Sequence, residues 1–272
     1  MAVIDLSNFS KLRLLLRVLG SDPQEFYDRI EGNLQIRRER LWPKPFPYDA
    51  VTPSEALTRL EKVLGMNISG FLQDPSLCDI ERKVRDGEQV LKLEGPIKLR
   101  HNADLLLARV CYLVCRTLTP TVVLETGVAY GVTSAFLLQA AAQNGNGRVY
   151  SIDLPPLGPG AERYVGFLIP PELRPLWSLK RGTGRRILPR LLPSLKNVDL
   201  FVQDSLHTYG CIMAELKEVW PVLRPGGVVI ADDIHKNRAF RDFALRTNPA
   251  CSLTVRGENK ESTMFGLLVK RR

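Results

Sequence analysis

The sequence predicts an α/β protein, a sheet with helices on both faces. Three observations carry that prediction. Short β-branched apolar runs recur at Val122-Val123-Leu124, Val149 to Ile152, Val198 to Val202 and Val228 to Ala231. Helical stretches separate them, and glycine-containing turns stand at the ends of the runs. Runs that are apolar without alternation suit strands buried on both faces.

The first ninety or so residues read as helices. Leu12 to Leu19 is an apolar stretch broken by Arg13 and Arg17. Ser21-Asp22-Pro23 offers a cap and a proline for a helix start. Phe26, Ile30, Leu34 and Leu41 then mark one apolar face, with Arg37, Arg38, Glu39 and Arg40 mostly opposite. Pro43, Pro45 and Pro47 stop that helix. Thr52-Pro53-Ser54-Glu55 is a capping box, followed by Leu57, Leu60 and Leu64 and a stop at Gly65. Pro75 to Arg85 reads as a helix with Leu77, Ile80 and Val84 inward.

From Leu91 the pattern changes. Asn102 can cap a helix from Ala103 to Leu118 that Pro120 ends. Helices are expected over Val132 to Gln143, Arg185 to Leu192, Thr208 to Leu223 and Lys236 to Arg246. Pro189 weakens the second of these. Leu253 to Val255 and Phe265 to Val269 read as closing strands. The chain thus divides into an N-terminal helical extension, residues 1–90, and an α/β domain, residues 91–272.

Composition excludes some classes. Hydrophobic residues are 44% and charged residues 25% of 272, ordinary for a globular chain and not for a disordered one. No apolar run spans a bilayer, since Leu105 to Leu124 contains Arg109 and Arg116. No secretory leader is recognisable. The five cysteines are scattered, which fits reduced thiols in a cytoplasm. Cys111 and Cys115, four apart on a helix, read as buried thiols rather than a metal pair. His101, His207 and His235 are the only histidines, too few for a structural zinc site. The net charge of +9 raises nucleic acid as a partner. No basic face interleaved with aromatics supports it, so a small molecule is the preferred partner.

Ligands in such sheets bind beyond the C-terminal strand ends. Glu125-Thr126-Gly127-Val128-Ala129-Tyr130-Gly131 follows a strand and opens a helix. Gly127 permits a tight turn and Gly131 a close backbone approach. The dinucleotide spacing G-x-G-x-x-G is broken by Ala129, and the preceding acid suits a cationic ligand better than a phosphate. Asp153 ends the next strand, where a carboxylate can accept from ribose hydroxyls. Each feature alone also fits ordinary turn chemistry; Glu125 and Asp153 about one strand-helix-strand unit apart make a ligand site the stronger reading.

At these residues the chain resembles the class I S-adenosylmethionine-dependent methyltransferases. Asp199-Leu200-Phe201-Val202-Gln203-Asp204-Ser205-Leu206-His207-Thr208-Tyr209 is similar to a segment of one branch, the macrocin O-methyltransferase and cephalosporin-hydroxylase-like proteins. Leu223-Arg224-Pro225-Gly226-Gly227 and the strand end Asp232-Asp233 continue the likeness. The resemblance implies a Rossmann-like sheet, mostly parallel with an antiparallel last strand. It implies S-adenosylmethionine bound by Glu125, Gly127, Ala129, Tyr130, Gly131, Asp153, Gly182, Thr183 and Asp204. Gly182-Thr183 departs from the Gly-Asp that the family often has near the adenine.

The same resemblance implies O-methylation of a hydroxyl on a small molecule such as a sugar or glycoside. Asp204, Asp232 and Asp233 are the expected Mg²⁺ ligands, with turn or cap chemistry as the alternative. His207, with Asp204 beside it, is the expected catalytic base, against packing as the alternative. His235 is a substrate contact or a support, and His101 structural. Arg37 to Arg40, Arg181 to Arg190 and Lys270 to Arg272 read as solvated faces, although Arg185, Arg186 and Arg190 could face an acidic substrate. The rival functions are RNA methylation and S-adenosylmethionine binding without catalysis. The sequence leaves room for a homo-oligomer.

Overall fold

The structure, a computed structural model, describes residues 6–41, 46–94, 104–158, 160–257 and 263–272. His101, Asn102 and Pro43 lie outside the described residues. The strands are β1 (Val122–Thr126), β2 (Arg148–Asp153), β3 (Trp177–Arg181), β4 (Val198–Gln203), β5 (Leu223–Ala231), β6 (Cys251–Arg256) and β7 (Met264–Val269). They form one sheet in the order β3-β2-β1-β4-β5-β7-β6. β1 to β5 are parallel, and β7 runs antiparallel between β5 and β6.

The helices are α1 (Leu6–Ser21), α2 (Pro23–Leu41), α3 (Pro53–Leu64), α4 (Pro75–Glu94), α5 (Leu105–Leu118), α6 (Val132–Asn144), α7 (Gly184–Leu195), α8 (Tyr209–Val219) and α9 (Ala239–Thr247). Alternate strand residues feed two cores. Val123, Leu200, Val202, Val228 and Ile230 meet the apolar faces of α3, α4, α5 and α6. Leu124, Phe201, Val229 and Ala231 meet α7, α8 and α9. Both sheet faces are therefore covered, as the apolar strand runs require.

Local chemistry explains most helix ends. The Thr52 hydroxyl accepts from the Glu55 amide at 3.3 Å, Pro53 opens α3, and Gly65 closes it at φ 70°. Asp22 Oδ1 accepts from the Glu25 amide at 2.9 Å at the start of α2. α5 begins two residues later than expected, because Asp104 accepts from the Leu106 amide and caps it. α8 stops at Val219, short of Leu223, because Pro221 follows and Leu223 enters β5. α7 forms despite Pro189 and Pro193, since Leu188, Leu191 and Leu192 bury one face. β3 has no apolar run to announce it, because it is an edge strand with Lys180 and Arg181 exposed.

One sequence expectation fails in part. Of the apolar face of α2, Phe26 and Ile30 are half-buried, but Leu34 and Leu41 are exposed, at 59% and 70%, as is the neighbouring Tyr27, at 66%. The buried residue of α2 is Glu25, at 1%. Polar contacts with the rest of the chain, rather than apolar burial, orient this helix. No described helix is long and apolar enough to cross a membrane.

Candidate active site

The C-terminal ends of β1, β2, β3, β4 and β5 open into one cleft of about 1950 Å³. Drug-sized ligands fill roughly 300–1,000 Å³, so this cleft has room for a cofactor and an acceptor together. Its centre lies where the strand order reverses, between β1 and β4. There the Asp204 amide donates to Thr126 O at 2.8 Å and ties the two loops.

The loop after β1 is folded by three left-handed residues: Gly127 at φ 86°, Ala129 at 47° and Gly131 at 90°. A Cβ on Gly127 would stand 1.9 Å from Asp204 O, so glycine is required by the neighbouring loop as well as by any ligand. Asp153 Oδ2 accepts from the amides of Val128 at 3.0 Å and Ala129 at 2.8 Å, which fixes the cradle. Burial raises the Asp153 carboxyl, and these two amides pull it back.

Gly127, Ala129, Asp153, Gly182, Thr183 and Asp204 line the cleft. Glu125, Tyr130 and Gly131 are not among its lining residues and support the cradle from behind. Glu125 Oε2 accepts from Ser134 Oγ at 2.6 Å and Ser151 Oγ at 2.7 Å, while Oε1 is buried without a partner. Burial pushes this carboxyl up to about 7.

The cluster on the floor comes from β4 and β5. One ligand atom from each of Asp204, His207 and Asp232 falls within 4.8 Å of the others. His207 Nε2 lies 3.7 Å from Asp204 Oδ1 and 3.6 Å from Asp233 Oδ2. Asp233, left-handed at φ 51°, is paired with Lys236, and His235 Nδ1 stands 3.8 Å from its carboxylate. Burial and the Asp232 charge raise Asp204 far above the carboxylate range, and burial and the Asp233 charge raise Asp232. Burial pushes His207 down to about 4, so its imidazole is neutral at pH 7. Asp199 does not belong to this group. Near the start of β4, it accepts from the amides of Thr121 and Val122 and from Arg224 Nε.

α2 closes the cleft from above, a role the sequence did not reveal. Asp28, Arg29, Glu31, Gln35, Ile36 and Glu39 line it. Glu25 binds Arg29 at 2.8 Å and also Arg181 of β3. Arg186 meets Asp22 and Asp28, each at 3.1 Å, and Arg185 meets Glu31. At the other end Thr208 Oγ1 donates to Gln35 Oε1 at 2.7 Å, and the Tyr209 amide donates to Glu39. Of the arginines that could have faced an acidic substrate, Arg185 and Arg186 are thus engaged with α2, while Arg190 is exposed on α7. The available signal was the spacing of Glu25, Asp28, Gly32, Gln35 and Glu39, a polar stripe at helical period.

The residues fit a sulfonium-bearing nucleoside. The carboxyl groups of Asp153, Asp204, Glu215, Asp232 and Asp233 crowd the sheet side of the cleft, and a cation offsets their crowding. Asp28 Oδ2 and His207 Nδ1 are buried without a hydrogen bond, Asp28 Oδ2 having only its ion pair with Arg186.

Comparison with known proteins agrees. Residues 124–234 match the family model of a methyltransferase domain. The O-methyltransferase TomG of Streptomyces achromogenes, solved with S-adenosylmethionine, is 17% identical at TM-score 0.53, over 79% of this chain and 98% of that one. An O-methyltransferase of Bacillus cereus, solved with S-adenosylhomocysteine, is 15% identical at TM-score 0.53, over 79% and 97%. The methyltransferase PaMTH1 of Podospora anserina is 11% identical at TM-score 0.51, over 84% and 98%. No curated protein sequence matched. Residues 124–234 thus resemble a methyltransferase domain, and the chain shares the fold of these solved methyltransferases.

Proposed function

We propose that the protein transfers the methyl group of S-adenosylmethionine to a hydroxyl of a small polar molecule, such as a sugar or glycoside. The observation that carries this reading is the Asp204–His207–Asp232 cluster on the floor of a cleft large enough for two ligands. Both O-methyltransferase neighbours support the oxygen acceptor. The cofactor supplies an electrophilic methyl on a cationic sulfur, and transfer discharges that cation.

The chain's own residues divide the remaining work. Gly127 and Ala129 bring backbone close to the ligand, and Asp153 holds that backbone while reaching the ribose. Glu125, Tyr130 and Gly131 brace the cradle. Asp204 and Asp232 are hard oxygen donors that would hold a divalent cation such as Mg²⁺, and such an ion would supply orientation and acidification of an acceptor hydroxyl. Asp233 joins that set only by leaving Lys236. His207, neutral at pH 7, accepts the hydroxyl proton, and the Asp233 carboxylate, 3.6 Å away, stabilises the imidazolium that forms.

The polar lining favours a hydroxylated acceptor over a flat apolar one, since Gln35, Glu39 and Lys236 face the cleft. RNA methylation is disfavoured because Arg181, Arg185 and Arg186 are neutralised by acids of α2. The free cysteines support a reducing cytoplasm. The test is an acceptor screen with S-adenosylmethionine, read by a 14-Da mass gain of one methylene, with and without excess chelator. Methylated sugars or glycosides are expected, with turnover lost in chelator and restored by Mg²⁺. Turnover only on RNA would overturn the acceptor class, and full turnover in chelator would remove the metal.

A further inference from the structure

The departure at position 183 has a structural counterpart. Thr183 stands just beyond β3, at the start of α7, where its side chain makes no capping hydrogen bond. Its hydroxyl oxygen is buried beside the Asp28 carboxyl, without full hydrogen-bond geometry. Both Thr183 and Asp28, from α2, line the cleft. Burial raises the Asp28 carboxyl, and the Arg186 charge and the neighbouring Thr183 hydroxyl oppose that rise. Asp28 Oδ2 is buried and lacks a hydrogen-bond donor. Arg186 Nε stands 3.1 Å away, without hydrogen-bond geometry, and Arg186 is held by Asp22 as well.

An ionised carboxylate offers acceptors only. Adenine presents an exocyclic amine, a donor, at the ring position where hypoxanthine presents a keto oxygen. A buried carboxylate facing that edge therefore prefers adenine, since the keto group would leave two acceptors opposed and unpaired. We infer that Asp28, carried over the cleft by α2, accepts the exocyclic amine of the cofactor's adenine and supplies in space the carboxylate that position 183 lacks. This inference rests on the cleft being the S-adenosylmethionine site. It makes α2 a specificity-determining element rather than a cover alone.

Calorimetric titration with S-adenosylhomocysteine and its hypoxanthine analogue, S-inosylhomocysteine, tests it. The wild type should bind the adenine ligand about 10- to 100-fold more tightly. Asp28→Ala should lose most of that ratio, chiefly through the adenine ligand. Asp28→Asn, nearly isosteric, should lose it too, because an amide can turn its NH₂ toward the keto oxygen. Asp28→Ala with Thr183→Asp should restore the preference. Equal weakening of both ligands in the folded variants, with the ratio kept, would overturn the inference and leave Asp28 as an Arg186 partner. A wild type that binds neither ligand would overturn the cofactor reading itself.

Discussion

Helices α5 and α2 both rest on the same α/β scaffold, and they are held there by opposite chemistry. α5 buries Leu106, Leu107, Val110, Cys111, Tyr112, Leu113, Val114 and Cys115. α2 buries a glutamate and leaves Tyr27, Leu34 and Leu41 in solvent. Apolar burial is non-directional and contributes in proportion to area. The α2 contacts are directional pairs, each strong only while its partner stays in place. The first helix holds the sheet together and the second holds a ligand cleft shut. A helix that must admit and release ligands is better attached by a few polar contacts than by a greasy face.

The largest expected effect belongs to the floor beneath α2. General-base catalysis contributes roughly 10²–10⁴-fold, so His207→Ala should cut turnover by about that factor with cofactor affinity near wild type. Single-turnover rates and calorimetry check it; turnover near wild type would transfer the role to Asp204. On the α5 side, Leu107 is fully buried. Leu107→Ala should cost about 2–5 kcal/mol in urea unfolding. Cofactor affinity of the folded variant should not change, and a parallel loss of affinity would break the division between the two helices.

Glu25→Gln applies the same question to α2. Burial alone would raise the Glu25 carboxyl, but hydrogen bonds from Arg181 and Arg29 outweigh it and hold it below its ordinary 4.5. A lowered native value means that this contribution is complete above about pH 4.5 and fades as pH falls through the lower folded value. The wild type should therefore keep α2 docked between pH 5 and 8 and release it in acid. Glu25→Gln should loosen α2 at neutral pH, accelerate hydrogen exchange along it and weaken cofactor binding about tenfold. Global unfolding should move by less than about 1 kcal/mol. A shift as large as that of Leu107→Ala would make α2 part of the core.

The same contrast decides what the sequence could disclose. Strands β1, β2, β4, β5, β6 and β7 were legible because apolar residues crowd into them. The α3 capping box and the loop from Glu125 to Gly131 were legible because backbone conformation restricts residue type. The strand-end rule pointed to Asp204 and Asp232 and the family resemblance to His207, and the structure brings these three together while Asp233 turns to Lys236. β3 was not found, since an edge strand needs no apolar run. α2 was misread because amphipathicity assumes that the apolar stripe faces inward. Its inward face is set by Arg181, Arg185 and Arg186, about 150 residues away in sequence, and no local pattern encodes that distance.

The smallest effect tests whether the cradle between these regions is shaped by its own residues or by what surrounds it. Ala129 is left-handed at φ 47°, which costs a non-glycine residue roughly 1–2 kcal/mol. Glycine would remove that strain but would gain unfolded-chain freedom worth about 0.4–1 kcal/mol. Ala129→Gly should thus stabilise the protein by about 0.5 kcal/mol, read as a small rise in the urea midpoint at unchanged slope. The amide at 129 would still donate to Asp153, so cofactor affinity should stay within about twofold. Gly127→Ala is the contrasting change: its Cβ would meet Asp204 O at 1.9 Å, forcing the loops after β1 and β4 apart. If Ala129→Gly instead destabilised the fold by more than 1 kcal/mol, the methyl group would be a packing contact and the conformation would not be the determinant. If it weakened the cofactor strongly, the rigidity of alanine at 129 would be part of the binding site.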